Sequence, residues 1–281
     1  MKILVLGHKG MLGGEIMSRL GRRHEMEGRD IDEFDISLRD DCRDAIESTD
    51  PDVVINAAAV TDVDGCEDRE DDCFAVNAEG VRHVAALCRE RGIKIVHFST
   101  DYVFDGTADR PYDEDHICNP INSYGRSKLQ GEIYLKKEAG DFLLVRTSWL
   151  FGKGGNNFVK AVAEKAKGGG ELTVVADQFG SPTYAFDLAG AVQELIEGDF
   201  RGTFHVTNRG SCSWYEFALK ILEYREQADA RIIPIESKDL TRKAMRPRYS
   251  ILSCRKFIEA TGKTMRFWQI ALRDYVNRME Y

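Results

Sequence analysis

The chain has 281 residues, 43% hydrophobic and 31% charged, an ordinary globular balance that excludes disorder. Lys and Arg total 39 against 47 Asp and Glu, a net charge of −8, which argues against general nucleic-acid binding because that needs a basic surface to release counterions from phosphates. No stretch approaches the roughly 20 apolar residues of a membrane span, so no membrane partner is expected.

Residues 2–6 (KILVL) read as a short buried strand that breaks at Gly7, and residues 10–20 as a helix. Residues 52–56 (DVVIN) form a second strand, followed by a helical stretch over 71–91. Residues 93–99 (IKIVHFS) are a third strand, 123–137 a helix and 142–146 (FLLVR) a fourth strand. Strands apolar on both faces and separated by helices specify a parallel sheet between helix layers. That is the doubly wound, Rossmann-like α/β class.

After residue 150 the rhythm changes. Glycine-rich loops stand at 152–157 (GKGGNN) and 168–170, a helix at 182–197, a short strand at 203–206 and a helix at 213–226. The only dense basic run is 242–248 (RKAMRPR). The expected organisation is a dinucleotide-binding domain over 1–150 and a smaller, partly interleaved substrate domain over 151–281. The helix near 182–198 should pack back on the first domain.

Gly7, Gly10 and Gly13 follow the first strand with G-x-x-G-x-x-G spacing and open a helix. Such a loop, here including Met11 and Leu12, lets backbone amides approach a pyrophosphate at a helix N-terminus. Asp30, seventeen residues past Gly13, is placed to bond an adenosine ribose; Arg29 beside it could instead neutralise a 2′-phosphate, so NADH and NADPH both stay open. Asp35, Ile36 and the run Asn56, Ala57, Ala58, Ala59 complete the cofactor set, the alanines leaving room at a strand's carboxyl end.

Tyr124 and Lys128 stand at i and i+4 on a helix and share a face. An adjacent ammonium should lower the tyrosine pKa toward the working range, and the lysine can also hold the nicotinamide ribose. Alone, the pair also decorates solvated helices; here it follows a strand ending Ser99-Thr100-Asp101, which brings hydroxyl donors to the sheet's carboxyl edge. The seven cysteines include no C-x-x-C and the six histidines no H-x-x-x-H. With a first apolar run too short for a secretory h-region, the expectation is a cytoplasmic chain with reduced thiols and no metal site.

Taken together these residues resemble the extended short-chain dehydrogenase/reductase family and, within it, the branch of dTDP-4-dehydrorhamnose reductases. The resemblance runs through GHKGMLG, NAAAVTDVDGCE, STDYVFDG, YGRSKLQGE, RTSWLFGKGGNNF, VVADQFGSPT, SWYEFA and RPRYSIL. It implies NAD(P)H-dependent reduction of the C4 keto group of a dTDP-linked deoxysugar, dTDP-4-dehydro-rhamnose, with Tyr124 as proton donor, Thr100 on the carbonyl oxygen and Lys128 on the cofactor ribose. It also implies that Val63, Asp101, Val103, Trp149 and Asn157 surround the sugar nucleotide and that Arg246 meets the diphosphate. Some relatives bridge a homodimer through a metal held by glutamates; Glu15 matches one such position, but Phe186 stands at another. Two other readings keep the fold: a reductase or epimerase of another 4-keto nucleotide sugar, and a non-catalytic regulatory subunit similar to the beta subunit of methionine adenosyltransferase.

Overall fold

The structure, a computed structural model, describes residues 1–227 and 229–279. Twelve strands occur in it: β1 (Lys2–Leu6), β2 (Glu25–Arg29), β3 (Val53–Asn56), β4 (Lys94–Thr100), β5 (Phe142–Thr147), β6 (Leu150–Phe151), β7 (Gly170–Val175), β8 (Phe179–Gly180), β9 (Thr183–Tyr184), β10 (Gly202–His205), β11 (Cys212–Ser213) and β12 (Ala230–Ile235). The helices are α1 (Met11–Leu20), α2 (Arg39–Thr49), α3 (Gly65–Asp68), α4 (Glu70–Phe74), α5 (Gly80–Arg91), α6 (Ser123–Glu138), α7 (Phe158–Ala166), α8 (Ala185–Glu197), α9 (Trp214–Tyr224), α10 (Arg255–Thr261) and α11 (Trp268–Arg278).

Six strands form one parallel sheet in the order β10-β5-β4-β3-β1-β2. Successive side chains leave a strand on opposite faces, and β1 divides accordingly. Ile3 and Val5 pack with Leu12 and Ile16 of α1 and with Leu188, Val192 and Leu195 of α8. Leu4 and Leu6 face the other way, into a core built from α2, α5 and α6. The sheet is thus buried on both faces, the arrangement that all-apolar strands require. The strand order reverses between β1 and β3, so a crevice opens at their carboxyl ends.

A second core gathers aromatic side chains, among them Phe151, Phe217, Trp268 and Tyr275, around α7, α9, α11 and the two-stranded β7–β12 pair. The chain does not pass once from the first core to the second. After β9 it returns: α8 covers α1, β10 extends the sheet beside β5, and Phe257 of α10 joins the first core.

Two expectations change. The helix over 71–91 is broken by a π-helical segment, Ala75–Glu79, between α4 and α5. The widened turn buries Asn77, whose side chain bonds both Val60 backbone groups and Ser127 Oγ of α6 at 3.1 Å. Nor are all seven cysteines reduced: Cys66 and Cys73 form a disulfide, their Cα atoms 5.6 Å apart. A spacing of seven residues carries no motif, and only the turn between α3 and α4 brings the two together. Cys42, Cys88, Cys118, Cys212 and Cys254 are free thiols. Among the described residues no helix is long and apolar enough to cross a membrane, and no group of three or more His, Cys, Asp or Glu residues could hold a metal ion.

Candidate active site

The crevice is a cleft of about 560 Å³ whose wall includes the start of α1, the segment after β3, the end of β4, and Tyr124 and Lys128 of α6. Its far side is closed by Trp149 and Trp214, whose rings stack 3.5 Å apart.

The glycine loop forms one end. Gly7 adopts φ +79°, and a Cβ there would lie 2.7 Å from the Ala58 amide nitrogen. A Cβ on Gly13 would stand 2.1 Å from the Gly7 carbonyl oxygen. Both positions admit only hydrogen. No side chain caps α1 at Gly10, so the first-turn amides face the cleft with the positive end of the helix dipole. Ala57, Ala58 and Ala59 leave space beside them; further along the wall, paired with Thr100, the buried Thr147 Oγ1 has no partner among the described residues. Uncapped amides, small side chains and an unengaged hydroxyl fit a dinucleotide.

Buried side chains build the other end. Thr100 ends β4; its Oγ1 donates to Asp101 Oδ1 at 3.0 Å and accepts from the Tyr102 amide at 3.2 Å. Asn122 caps α6, accepting from the Gly125 amide at 2.7 Å and donating to the Met245 carbonyl at 2.7 Å. Glu67 of α3 accepts from Ser123 N at 2.8 Å and Ser123 Oγ at 2.9 Å. These ties fix the turn that carries Tyr124. A Cβ on Gly125 would meet the Tyr102 carbonyl oxygen at 2.2 Å, so glycine allows α6 to approach the segment after β4.

Burial dominates the electrostatics of the tyrosine and the lysine alike. Burial pushes the Tyr124 phenol up to about 12, with the neighbouring Thr100 hydroxyl acting in the opposite direction. Lys128 Nζ donates to the Phe98 carbonyl at 2.7 Å, and burial pulls its ammonium down to about 8. Burial is the largest influence on the phenol; the Thr100 hydroxyl opposes it and the Asp101 charge reinforces it. Burial likewise raises Asp101 to about 7.

The cleft wall brings together Gly10, Met11, Leu12, Gly13 and Asn56 to Ala59 with Val63, Thr100, Asp101, Tyr124, Lys128 and Trp149. The other candidates sit elsewhere. Gly7 lies behind the loop, against Ala57 and Ala58. Asp30 braces the loop itself, accepting from the Lys9 amide at 2.7 Å and the Ile31 amide at 2.9 Å. Arg29 is engaged by Glu27 and by the Gly28 carbonyl. Asp35 accepts from Ser37 N and Oγ, and Ile36 is core beneath Gly80.

Val103 is fully buried with Phe104, Tyr112 and Leu252 and does not reach the cleft. Asn157 caps α7, accepting from the Lys160 amide at 3.1 Å and donating to the Gly152 carbonyl at 3.0 Å; its neighbour Asn156 lines the cleft instead. Arg246 forms a two-pronged pair with Asp64, 2.6 Å on each prong, so its charge is already matched. Tyr102, Ser148 and Trp214 line the cleft without having been singled out. Trp214 had a readable signal, because the S-x-x-E run Ser213–Glu216 forms a capping box that starts α9 at this indole.

Comparison with known proteins places this geometry in a family. A family profile described as the RmlD substrate binding domain matches residues 1–281. The chain is similar to the spore coat polysaccharide biosynthesis protein SpsK of Bacillus subtilis (strain 168), with 40% identity over 98% of this chain and 96% of that protein. It is similar to a dTDP-4-dehydrorhamnose reductase of Burkholderia thailandensis, with 38% identity over 97% of each. Among solved structures, the dTDP-4-dehydrorhamnose reductase of Bacillus anthracis str. Ames in complex with NADP superposes with a TM-score of 0.95, at 37% identity over 99% of both chains.

Proposed function

Because the chain belongs to the RmlD substrate binding domain family, we propose that it is an NAD(P)H-dependent oxidoreductase that reduces the C4 keto group of dTDP-4-dehydro-rhamnose to give dTDP-rhamnose. One observation carries the reading: Thr100, Tyr124 and Lys128 meet on the wall of the same cleft into which the uncapped start of α1 opens.

The chemistry that a reduced nicotinamide supplies when bound is hydride for the carbonyl carbon. The Tyr124 hydroxyl, joined by Thr100 Oγ1 once its proton turns from Asp101 Oδ1, would hold the carbonyl oxygen and polarise it. Tyr124 then gives its proton to the forming alkoxide. A phenol pushed up to about 12 is fully protonated at neutral pH, so it enters reduction loaded as an acid. Lys128 would hold the nicotinamide ribose hydroxyls. The amides at the start of α1 would hold the pyrophosphate, and Asp30, which braces the loop, would bond the adenosine ribose. Val63, Asp101 and Trp149 take the sugar end. Arg246 reaches a diphosphate only by leaving Asp64, which makes that ion pair an internal competitor for the substrate anion. The enzyme works in the cytoplasm on a nucleotide-linked 4-keto deoxysugar.

The test is absorbance at the reduced-nicotinamide band with dTDP-4-dehydro-rhamnose, NADH and NADPH assayed separately. Stoichiometric loss of reduced cofactor with dTDP-rhamnose as product is the expected result. Product formed without net oxidation would mean an epimerase, which returns its hydride. Cofactor binding without turnover would overturn the assignment.

A further inference from the structure

The turn that follows β2, beside the glycine loop, is one-sided in charge. Between Arg29 and Arg39 the chain carries Asp30, Asp32, Glu33 and Asp35 and no cation. Two cations flank Asp30: Arg29 in sequence, and Lys9 through its amide, which donates to Asp30 Oδ2 at 2.7 Å. Each already has a carboxylate on its side chain. Lys9 Nζ donates to Asp32 Oδ2 at 2.5 Å and lies 3.9 Å from Glu33 Oε1. Arg29 Nη2 donates to Glu27 Oε1 at 2.5 Å, and its Nη1 donates to the Gly28 carbonyl at 2.9 Å. Neighbouring cations are occupied as well. Lys2 stands between Glu25 and Glu27, at 3.8 and 4.0 Å, and Arg39 binds Glu90 of α5 at 3.0 Å. The His8 ring lies nearest, its Nδ1 3.9 Å from Asp30 Oδ2.

We propose that this turn selects NADH over NADPH, with Glu27 and Asp32 as specificity-determining residues: they hold the two cations that a 2′-phosphate would need and leave Asp30 to accept from a 2′-hydroxyl. The proposal rests on the dinucleotide reading of the cleft and not on which sugar is reduced.

A hydroxyl carries a hydrogen to donate to a carboxylate. A phosphate monoester near neutral pH carries a charge of about −1.5 to −2 and offers mainly acceptor oxygens. One like-charge contact at about 4 Å costs roughly fivefold in affinity even at the dielectric of water, and Asp30, Asp32 and Glu33 together outnumber Lys9. Exposed ion pairs are weak, so a phosphate could draw Lys9 away from Asp32. The surplus would remain, because freeing the lysine turns another unmatched carboxylate toward the phosphate. Arg29 is under the same constraint, since leaving Glu27 unpairs that carboxylate two residues from Arg29 on the same strand face.

The experiment is isothermal titration calorimetry of the ligand-free chain with NADH and with NADPH, no sugar present, at low salt and at about 1 M salt, where the Debye length is about 3 Å. NADH should bind at least about tenfold more tightly at low salt, and the ratio should shrink at high salt. Glu27→Gln and Asp32→Asn should each narrow the ratio by strengthening NADPH binding roughly fivefold. Asp32→Lys, which reverses the charge, should narrow it further. The side chains of Glu27 and Asp32 are 33% and 61% exposed, so neither replacement empties a core site. A native ratio near one, or a preference for NADPH, would overturn the proposal, as would a ratio that none of the three variants moves. Binding of neither dinucleotide would overturn the cofactor site and this proposal with it. A preference for NADH in a protein that never reduces the sugar would uphold the proposal and sink the reductase reading alone.

Discussion

At one end of the cleft Gly7 and Gly13 contribute no side chain, and the surface offered to a ligand is backbone amide at the head of α1. At the other end the polar work falls to Thr100, Asp101 and Lys128, each less than 9% exposed, and to Tyr124. The first end is defined by what is missing, so its tolerance is geometric. The second end keeps polar groups out of water, so its tolerance is electrostatic. Damage to the first should therefore appear in binding and folding, and damage to the second in turnover and pH dependence.

The largest effect should come from the second end. Tyr124→Phe removes the proton donor and little volume, so it should fold and bind cofactor while turnover falls by about 10²–10⁴-fold. Steady-state kinetics beside a cofactor titration checks this; near-native turnover would remove the distinction between the two ends.

Gly13→Ala should come next. Its Cβ would sit 2.1 Å from the Gly7 carbonyl oxygen and 2.8 Å from the His8 Cα, both backbone atoms that cannot swing aside. Overpacking of this kind costs about 1–3 kcal/mol, and cofactor binding should weaken along with the melting temperature. Gly10→Ala is the control, because its Cβ meets only the Gly7 carbonyl oxygen, at 3.3 Å. Equal damage from the two replacements would mean that geometry is not what the loop protects.

The last effect is read only as a pH dependence and concerns Asp101, raised by burial from 3.8 to about 7. Between those values the folded protein keeps a proton that the unfolded chain has released. Its contribution to stability is therefore full at low pH and lost as pH rises through about 7, at no more than about 1.4 kcal/mol per pH unit. Asp101→Asn should flatten this slope, so its stability relative to the native chain should improve between pH 4 and pH 8 in chemical denaturation. Parallel pH profiles for the two proteins would count against a buried, protonated Asp101.

The sheet class, the glycine loop and the Thr100, Tyr124, Lys128 set were legible because each depends on local spacing: a strand that breaks at Gly7, a helix that follows, an i,i+4 pair. What was not legible depends on contacts across the chain. Arg246 looked like a free cation until Asp64, 182 residues away, was seen to hold it. Asp30 looked like a ribose ligand, whereas its oxygens also cap the loop it follows. Val103 and Asn157 stand beside cleft residues in sequence but turn into a core cluster and a helix cap. The direction of the Tyr124 shift depends on burial, and burial has no periodicity within YGRSK.

The return of the chain to its first core carries a consequence for synthesis. A growing chain that has released only residues 1–150 has made β1 to β5, but β5 still presents an open edge, and the apolar face of α1 waits for α8. Such an edge invites pairing with other chains. The sheet acquires its sixth strand only when His205 has emerged, and Phe257 reaches the same core later still. The first half of this protein is therefore a nascent fold that depends on its second half to stay apart from its neighbours on the polysome.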